Sequence, residues 1–148
     1  KKLDFVHPVL QNFYVGGNYT WSASNIQLTP QNLTAQTTND RPLQGHSAQI
    51  FNFQIGYDNP AWKTQATLLY NISSKRIMAA GVLGAPDKYE QPVHQLDFVL
   101  SQNVYKGLSA QLSAQNLLDD EIRITQGDEI ARQYRRGRFF NLSVRLAY

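Results

Sequence analysis

Apolar and polar residues alternate along six stretches of this chain. In residues 13–24, FYVGGNYTWSAS, one face carries Phe13, Val15, Tyr19, Trp21 and Ala23, and the other Tyr14, Gly16, Asn18, Thr20 and Ser22. In 46–57, Phe51, Phe53, Ile55 and Tyr57 oppose Asn52, Gln54 and Gly56. In 62–72, Trp62, Ala66, Leu68, Tyr70 and Ile72 oppose Lys63, Gln65, Thr67 and Asn71. In 93–104, Leu96, Phe98, Leu100 and Val104 oppose Gln95, Asp97, Val99, Ser101 and Asn103. In 107–118, Leu108, Ala110, Leu112 and Ala114 oppose Ser109, Gln111, Ser113 and Gln115. The last stretch, 134–148, ends RFFNLSVRLAY, with Phe140, Leu142, Val144 and Leu146 alternating with Asn141, Ser143 and Arg145. A period of two puts successive side chains on opposite faces of a strand, so the pattern predicts an all-β chain of about six long strands.

The connections alternate in length. DNPA and YK are short and have turn composition. NIQLTPQNLTAQTTNDRPLQG, SSKRIMAAGVLGAPDKYEQP and DDEIRITQGDEIARQ are long and polar. Short turns alternating with long loops mark an antiparallel transmembrane β-barrel of the outer-membrane kind. Aromatics fall where interface girdles belong: Phe13, Tyr57, Trp62 and Tyr148 at the short-turn end, and Tyr19, Trp21, Tyr70 and Phe140 toward the other.

Composition separates this reading from a soluble β-sandwich. Charged residues make up 17% of the chain, below the roughly 25% of ordinary domains. The face opposite the apolar one is rich in Asn, Gln, Ser and Thr, where a soluble exterior carries Lys and Glu. The stretches also exceed the common strand length of about 5–6 residues. A net charge of +3 gives little ground for nucleic-acid binding. With no cysteine, disulfides, thiolate catalysis and Cys-based zinc sites are excluded. KKLDFVHPVL has no apolar core of a signal peptide.

Six strands cannot close a membrane barrel, since bacterial ones begin at about eight. An open sheet in lipid leaves two unpaired edges, at several kcal/mol per group. Either two further strands are hidden in the chain, or the whole of it, 1–148, is a segment of a larger barrel; the abrupt KKLDF start favours the segment, which is then expected not to fold alone.

Four motifs in order carry a resemblance. RPLQGHSAQIFNFQIGYD, LLYNISSKRIMAAG followed by DKYEQPVHQLDFVLSQ, LSAQNLLDDE and YRRGRFFNLSVRLAY resemble the final strands of TonB-dependent outer-membrane receptors. The similarity runs from about Phe13 to Tyr148. It departs at the last residue, where Tyr148 stands in place of the commoner Phe, and at Gln102, a polar residue on the apolar face. The resemblance implies the C-terminal part of a barrel of about 22 strands, with the plug domain and the earlier strands absent from this chain. It implies a bacterial outer-membrane location and energy-coupled import of a scarce small-molecule ligand: a ferric siderophore, cobalamin or a carbohydrate. The partners it implies are outer-membrane lipid and lipopolysaccharide, the barrel-assembly machinery and, through the plug, TonB. Phe140, Leu142, Val144, Leu146 and Tyr148 then form the signal read by the assembly machinery. Asn18, Asn52, Gln54, Asn71, Gln95, Asp97, Asn103 and Arg145 form a polar wall toward the lumen and plug.

No catalytic constellation, cofactor site or metal site is expected. His7, His46 and His94 lack metal-ligand spacing. GVLGAP has no following Lys-Ser/Thr and is no phosphate loop. Near the end, DDE at 119–121 and DE at 128–129 accompany Arg132, Arg135, Arg136 and Arg138. Arg135, Arg136 and Arg138 suit lipopolysaccharide phosphates, but the balance favours an exposed salt-bridged hairpin worth about 0–1 kcal/mol per pair. Two other readings remain. A complete small outer-membrane barrel, as enzyme or adhesin, needs two more strands and, for an enzyme, a Ser–His pair built on His46 or His94. A soluble β-barrel would bind a small apolar ligand.

Overall fold

The computed structural model describes residues 2–3, 7, 10–28 and 36–146. Its strands are β1 (Phe13–Trp21), β2 (Ile26–Gln27), β3 (Asp40–Arg41), β4 (Gln49–Asn59), β5 (Thr64–Ser73), β6 (Arg76–Ala79), β7 (Lys88–Glu90), β8 (His94–Tyr105), β9 (Leu108–Gln115), β10 (Ile122–Gln126), β11 (Glu129–Tyr134) and β12 (Phe139–Leu146). The chain is all-β, and every pairing between these strands is antiparallel. The long strands form a six-stranded sheet in the order β1-β4-β5-β8-β9-β12. That sheet does not close on itself, so β12 is an open edge and β1 is open beyond its first two residues, where Lys2 bridges to Tyr14 and Leu3 N–H donates to Phe13 O (2.9 Å).

Each expected stretch yields one long strand, with shifted ends. The first stops at Trp21 and the fifth at Gln115. The sixth begins at Phe139, because Glu129–Tyr134 instead folds back on β10. Tyr148 lies outside the described residues. A register shift lies between Asn103 and Tyr105: Asn103 stands opposite Ser109 and Tyr105 opposite Leu108, so Val104 is the unpaired residue between them. The extra residue is a β-bulge, which re-aims the side chains beyond it.

The two short turns are built by local chemistry. Asn59 Oδ1 accepts hydrogen bonds from the N–H groups of Ala61 (3.0 Å) and Trp62 (3.2 Å), an Asx turn. Gly107 supplies the positive φ of 76° that the two-residue Lys106–Gly107 turn needs. Gln102, the polar intruder on the apolar face, is satisfied at this end. Its Nε2 donates to Trp62 O (2.8 Å) and its Oε1 accepts from the Thr64 hydroxyl.

The long connections gather at the opposite end. The 74–93 and 116–138 connections contribute β6, β7, β10 and β11 to a second sheet, ordered β11-β10-β7-β6, and the 22–48 connection contributes the β2–β3 pair. The core sits here, not under the long sheet. Ile77, Ile122 and Ile124 are buried, and Ala114 is the one buried apolar residue of a long strand. Gly45 N–H donates to Ile77 O (2.8 Å), strapping the 22–48 connection onto β6. Arg41 is also buried here: Nη2 donates to Gln36 Oε1 (2.9 Å), while Nε and Nη1 have no partner.

The long sheet is uncovered on its apolar face. Phe140, Leu142, Val144 and Leu146 are each about two-thirds exposed, and Phe51, Phe53, Ile55, Leu68 and Leu112 exceed a third. Fully burying one such side chain is worth roughly 1.5–3 kcal/mol, so this face forgoes most of that gain in water. On the other face Tyr14 shares a hydrogen bond with Thr67 Oγ1 (3.1 Å). Its ring crosses Gly56, where a Cβ would come within 2.0 Å of it. Gly56→Ala is therefore expected to cost about 1–3 kcal/mol by overpacking, and Tyr14→Ala in the same chain to recover most of that. A double-mutant cycle read by urea unfolding checks it; additive costs would contradict the packing.

Candidate functional site

Register carries all eight polar-wall residues to one face. Asn18, Asn52, Asn71 and Gln95 occupy one cross-strand row. Gln54 and Asp97 lie in the next, on either side of Leu69, and Asn103 and Arg145 flank Ser109 near the short-turn end. Asn52 Nδ2 donates to Asn18 Oδ1 (2.7 Å), and Asn71 Nδ2 donates in turn to Asn52 Oδ1. The result is a one-way amide ladder running toward the β1 edge. Gly16 and Gly17 leave room beside it for a concavity of about 390 Å³ lined also by Gln54 and Asp97.

Asp97 and Arg145 are not brought together. Their rows are six positions apart along β8, about 20 Å at the usual rise. Asp97 is occupied locally: Oδ1 accepts from Asn116 N–H (2.8 Å) and Oδ2 from Gln95 Nε2 (3.0 Å).

The acidic and arginine clusters do not form the expected salt-bridged hairpin. Among the described residues the ion pairs are Arg76–Glu90 (2.8 Å) and Arg123–Glu121 (4.0 Å). The acids turn to backbone instead. Asp119 Oδ1 accepts from Gly137 N–H (2.9 Å). Asp120 accepts from the N–H groups of His94 (2.9 Å) and Glu121 (2.9 Å). The His94 N–H is the main reason the Asp120 carboxyl sits below its ordinary range; partial burial opposes it, and Glu121 N–H and the charges of His94 and Arg123 add to it. The chain after β11 does return beside the acids, but it is the Gly137 N–H, not an arginine side chain, that reaches Asp119, and the Arg138 guanidinium turns to Leu117 O. Arg132 stacks over Tyr134 (4.7 Å) and Arg138 Nε donates to Leu117 O (2.8 Å), while Arg135 and Arg136 are exposed between β11 and β12.

A second cluster was not legible in the sequence. A cavity of about 520 Å³ opens where the ends of β1, β4 and β5 meet β6 and β7. At its wall the His46 ring is held on both nitrogens, Nε2 by Ser22 Oγ (2.8 Å) and Nδ1 by Ser24 Oγ (2.8 Å). Ser24 Oγ is itself fixed by Leu43 N–H (3.1 Å). Lys75 and Arg76 lie across the cavity with Tyr89. These residues are scattered from position 22 to position 89, so no spacing rule joins them. The one local signal was a histidine followed by a strand whose partner ends in WSAS.

His94 is engaged elsewhere. His94 Nδ1 bonds the Tyr70 hydroxyl (2.6 Å) on the apolar face, and no cluster of metal-ligating side chains occurs among the described residues. No family model, curated protein or solved structure matches this chain.

Proposed function

We propose that this chain is a wall segment of a bacterial outer-membrane barrel, the C-terminal part of a TonB-dependent receptor importing a scarce small-molecule ligand, with no catalytic role. The observation that carries the reading is the two-faced, uncovered sheet. Its strands of 8–12 residues match the roughly 9–11 that cross a bilayer when tilted. One face is apolar and exposed, and the other is lined with amides and hydroxyls. Lipid offers the first face what water denies it, and a wet lumen suits the second. The open edges need further strands on both sides, because unpaired backbone is too costly in lipid. The long connections, two of them joined in one sheet, then stand outside the cell and the two short turns in the periplasm.

On this reading Asn18, Asn52, Gln54, Asn71, Gln95, Asp97, Asn103 and Arg145 face the plug, and the amide ladder offers it exchangeable hydrogen bonds. Phe140, Leu142, Val144, Leu146 and Tyr148 serve assembly and then meet lipid. Arg135 and Arg136, free of ion pairs among the described residues, are the better candidates for lipopolysaccharide phosphates. Arg138 is partly committed to Leu117 O.

The test is the native polypeptide on gels with and without boiling. The expected result is a chain much longer than 148 residues whose mobility shifts on heating. A native chain of this length alone would sink the receptor reading. One observation favours the small-barrel enzyme as second reading: Ser22 and His46 are in hydrogen-bond reach. Against it, the third member is Ser24, a hydroxyl without the carboxylate's charge. Labelling of Ser22 by a fluorophosphonate would favour the enzyme.

A further inference from the structure

We infer that the cavity at the long-connection end binds an organic carboxylate with a planar apolar body. The inference rests on the receptor reading only for the side of the membrane the cavity faces. At about 520 Å³ it falls within the roughly 300–1,000 Å³ of small-molecule sites.

Its charge has one sign. His46, Lys75 and Arg76 line it, and no Asp or Glu does. The three basic groups are not equivalent. Arg76 is oriented and largely neutralised by Glu90 at 2.8 Å. Lys75 makes no ion pair among the described residues. Its ammonium is held 5.3 Å over the Tyr89 ring, a weak anchor that leaves its charge available to an anion. The His46 ring is clamped by two hydroxyls. Both partners are neutral hydroxyls, so the clamp fixes the ring's orientation and brings no carboxylate into the cavity.

The rest of the lining selects the ligand's body. Ala23, Pro42, Ala48 and Ile77 contribute apolar surface, and Tyr89 a ring. One uncompensated ammonium suits a single negative charge. A multiply charged inorganic anion would forfeit its hydration against this apolar lining. A monocarboxylate on a flat hydrocarbon body satisfies both demands: its oxygens reach Lys75 and the seryl hydroxyls, and its ring covers the apolar wall.

Titration calorimetry on the full native chain in detergent tests this, with benzoate as probe and benzyl alcohol and inorganic phosphate as comparisons. Benzoate is expected to bind at millimolar concentration or below, with at least tenfold preference over both. Lys75→Met is expected to weaken benzoate at least tenfold, Lys75→Arg to retain it within about threefold, and Lys106→Gln, in the short turn at the far end of the sheet, to leave it unchanged. His46→Gln is a second probe of the site and should weaken binding. No heat with millimolar benzoate, phosphate bound as well as benzoate, or Lys75→Met without effect would each overturn the inference. The heat-shifted gel band reports the barrel independently, so failure of the cavity and failure of the receptor reading are seen in different measurements.

Discussion

Arginine at Leu68 will prevent the sheet from assembling in a bilayer, and arginine at Leu69 will not. The two leucines are neighbours in the middle of β5 and equally exposed, at 37% and 38%. Exposure alone predicts the same outcome for both. Register separates them. Leu68 lies between Ile55 and Phe98 on the apolar face, whereas Leu69 lies between Gln54 and Asp97 on the polar one. A lipid-facing arginine at mid-depth costs about 2–4 kcal/mol in a barrel, while lumen-face changes are tolerated. At Leu69 the new guanidinium would also find the Asp97 carboxylate across the pair. Heat-shifted mobility and urea unfolding of the full chain in lipid should therefore show loss for Leu68→Arg and near-normal behaviour for Leu69→Arg. Equal tolerance of both would mean that the apolar face meets water or another protein, and the membrane reading would fall.

Gly81→Ala is expected to be the most damaging single methyl in the long connections, and to leave the long sheet intact. A Cβ at Gly81 would lie 2.0 Å from Ala85 O and 2.7 Å from the Pro86 carbonyl carbon. Both are backbone atoms that no side-chain rotation can move aside. Gly81 N–H also donates to the buried Asp87 Oδ1 (2.7 Å), and Gly81 O accepts from Thr37 N–H (2.9 Å). Relieving the clash breaks these bonds, so a cost of about 3 kcal/mol, the upper end for overpacking, is expected. The connection around 74–93 should become protease-sensitive while the heat-shifted band persists, because the second sheet shares few backbone bonds with the long one. Unchanged protease resistance would show that this connection does not depend on its tight turn.

Several elements were legible in the residues alone because each depends on one local rule. Alternation over Gln49–Asn59 or His94–Tyr105 needs no neighbour to define its two faces. DNPA and YK announce turns through Asn, Pro and the Gly that follows. The polar wall was also readable in outline, since a period of two assigns a face to every residue of a strand once one is known. For the same reason the bulge escaped notice: an extra residue between Asn103 and Tyr105 is defined only by its partner strand.

What the chain determined by itself, then, is an all-β protein with one oily and one amide-rich face per strand and with two short turns. Only the tertiary structure decided the rest. It joined the 74–93 and 116–138 connections in one sheet around Ile77, Ile122 and Ile124, turned Asp119 and Asp120 to backbone N–H groups rather than to arginines, and set Ser22, His46 and Lys75 around one cavity. The physical reason is range. Strand faces follow from the geometry of adjacent peptide units, whereas a sheet assembled from loops, a redirected carboxylate and a cavity at strand ends depend on which distant segments pair and in what register.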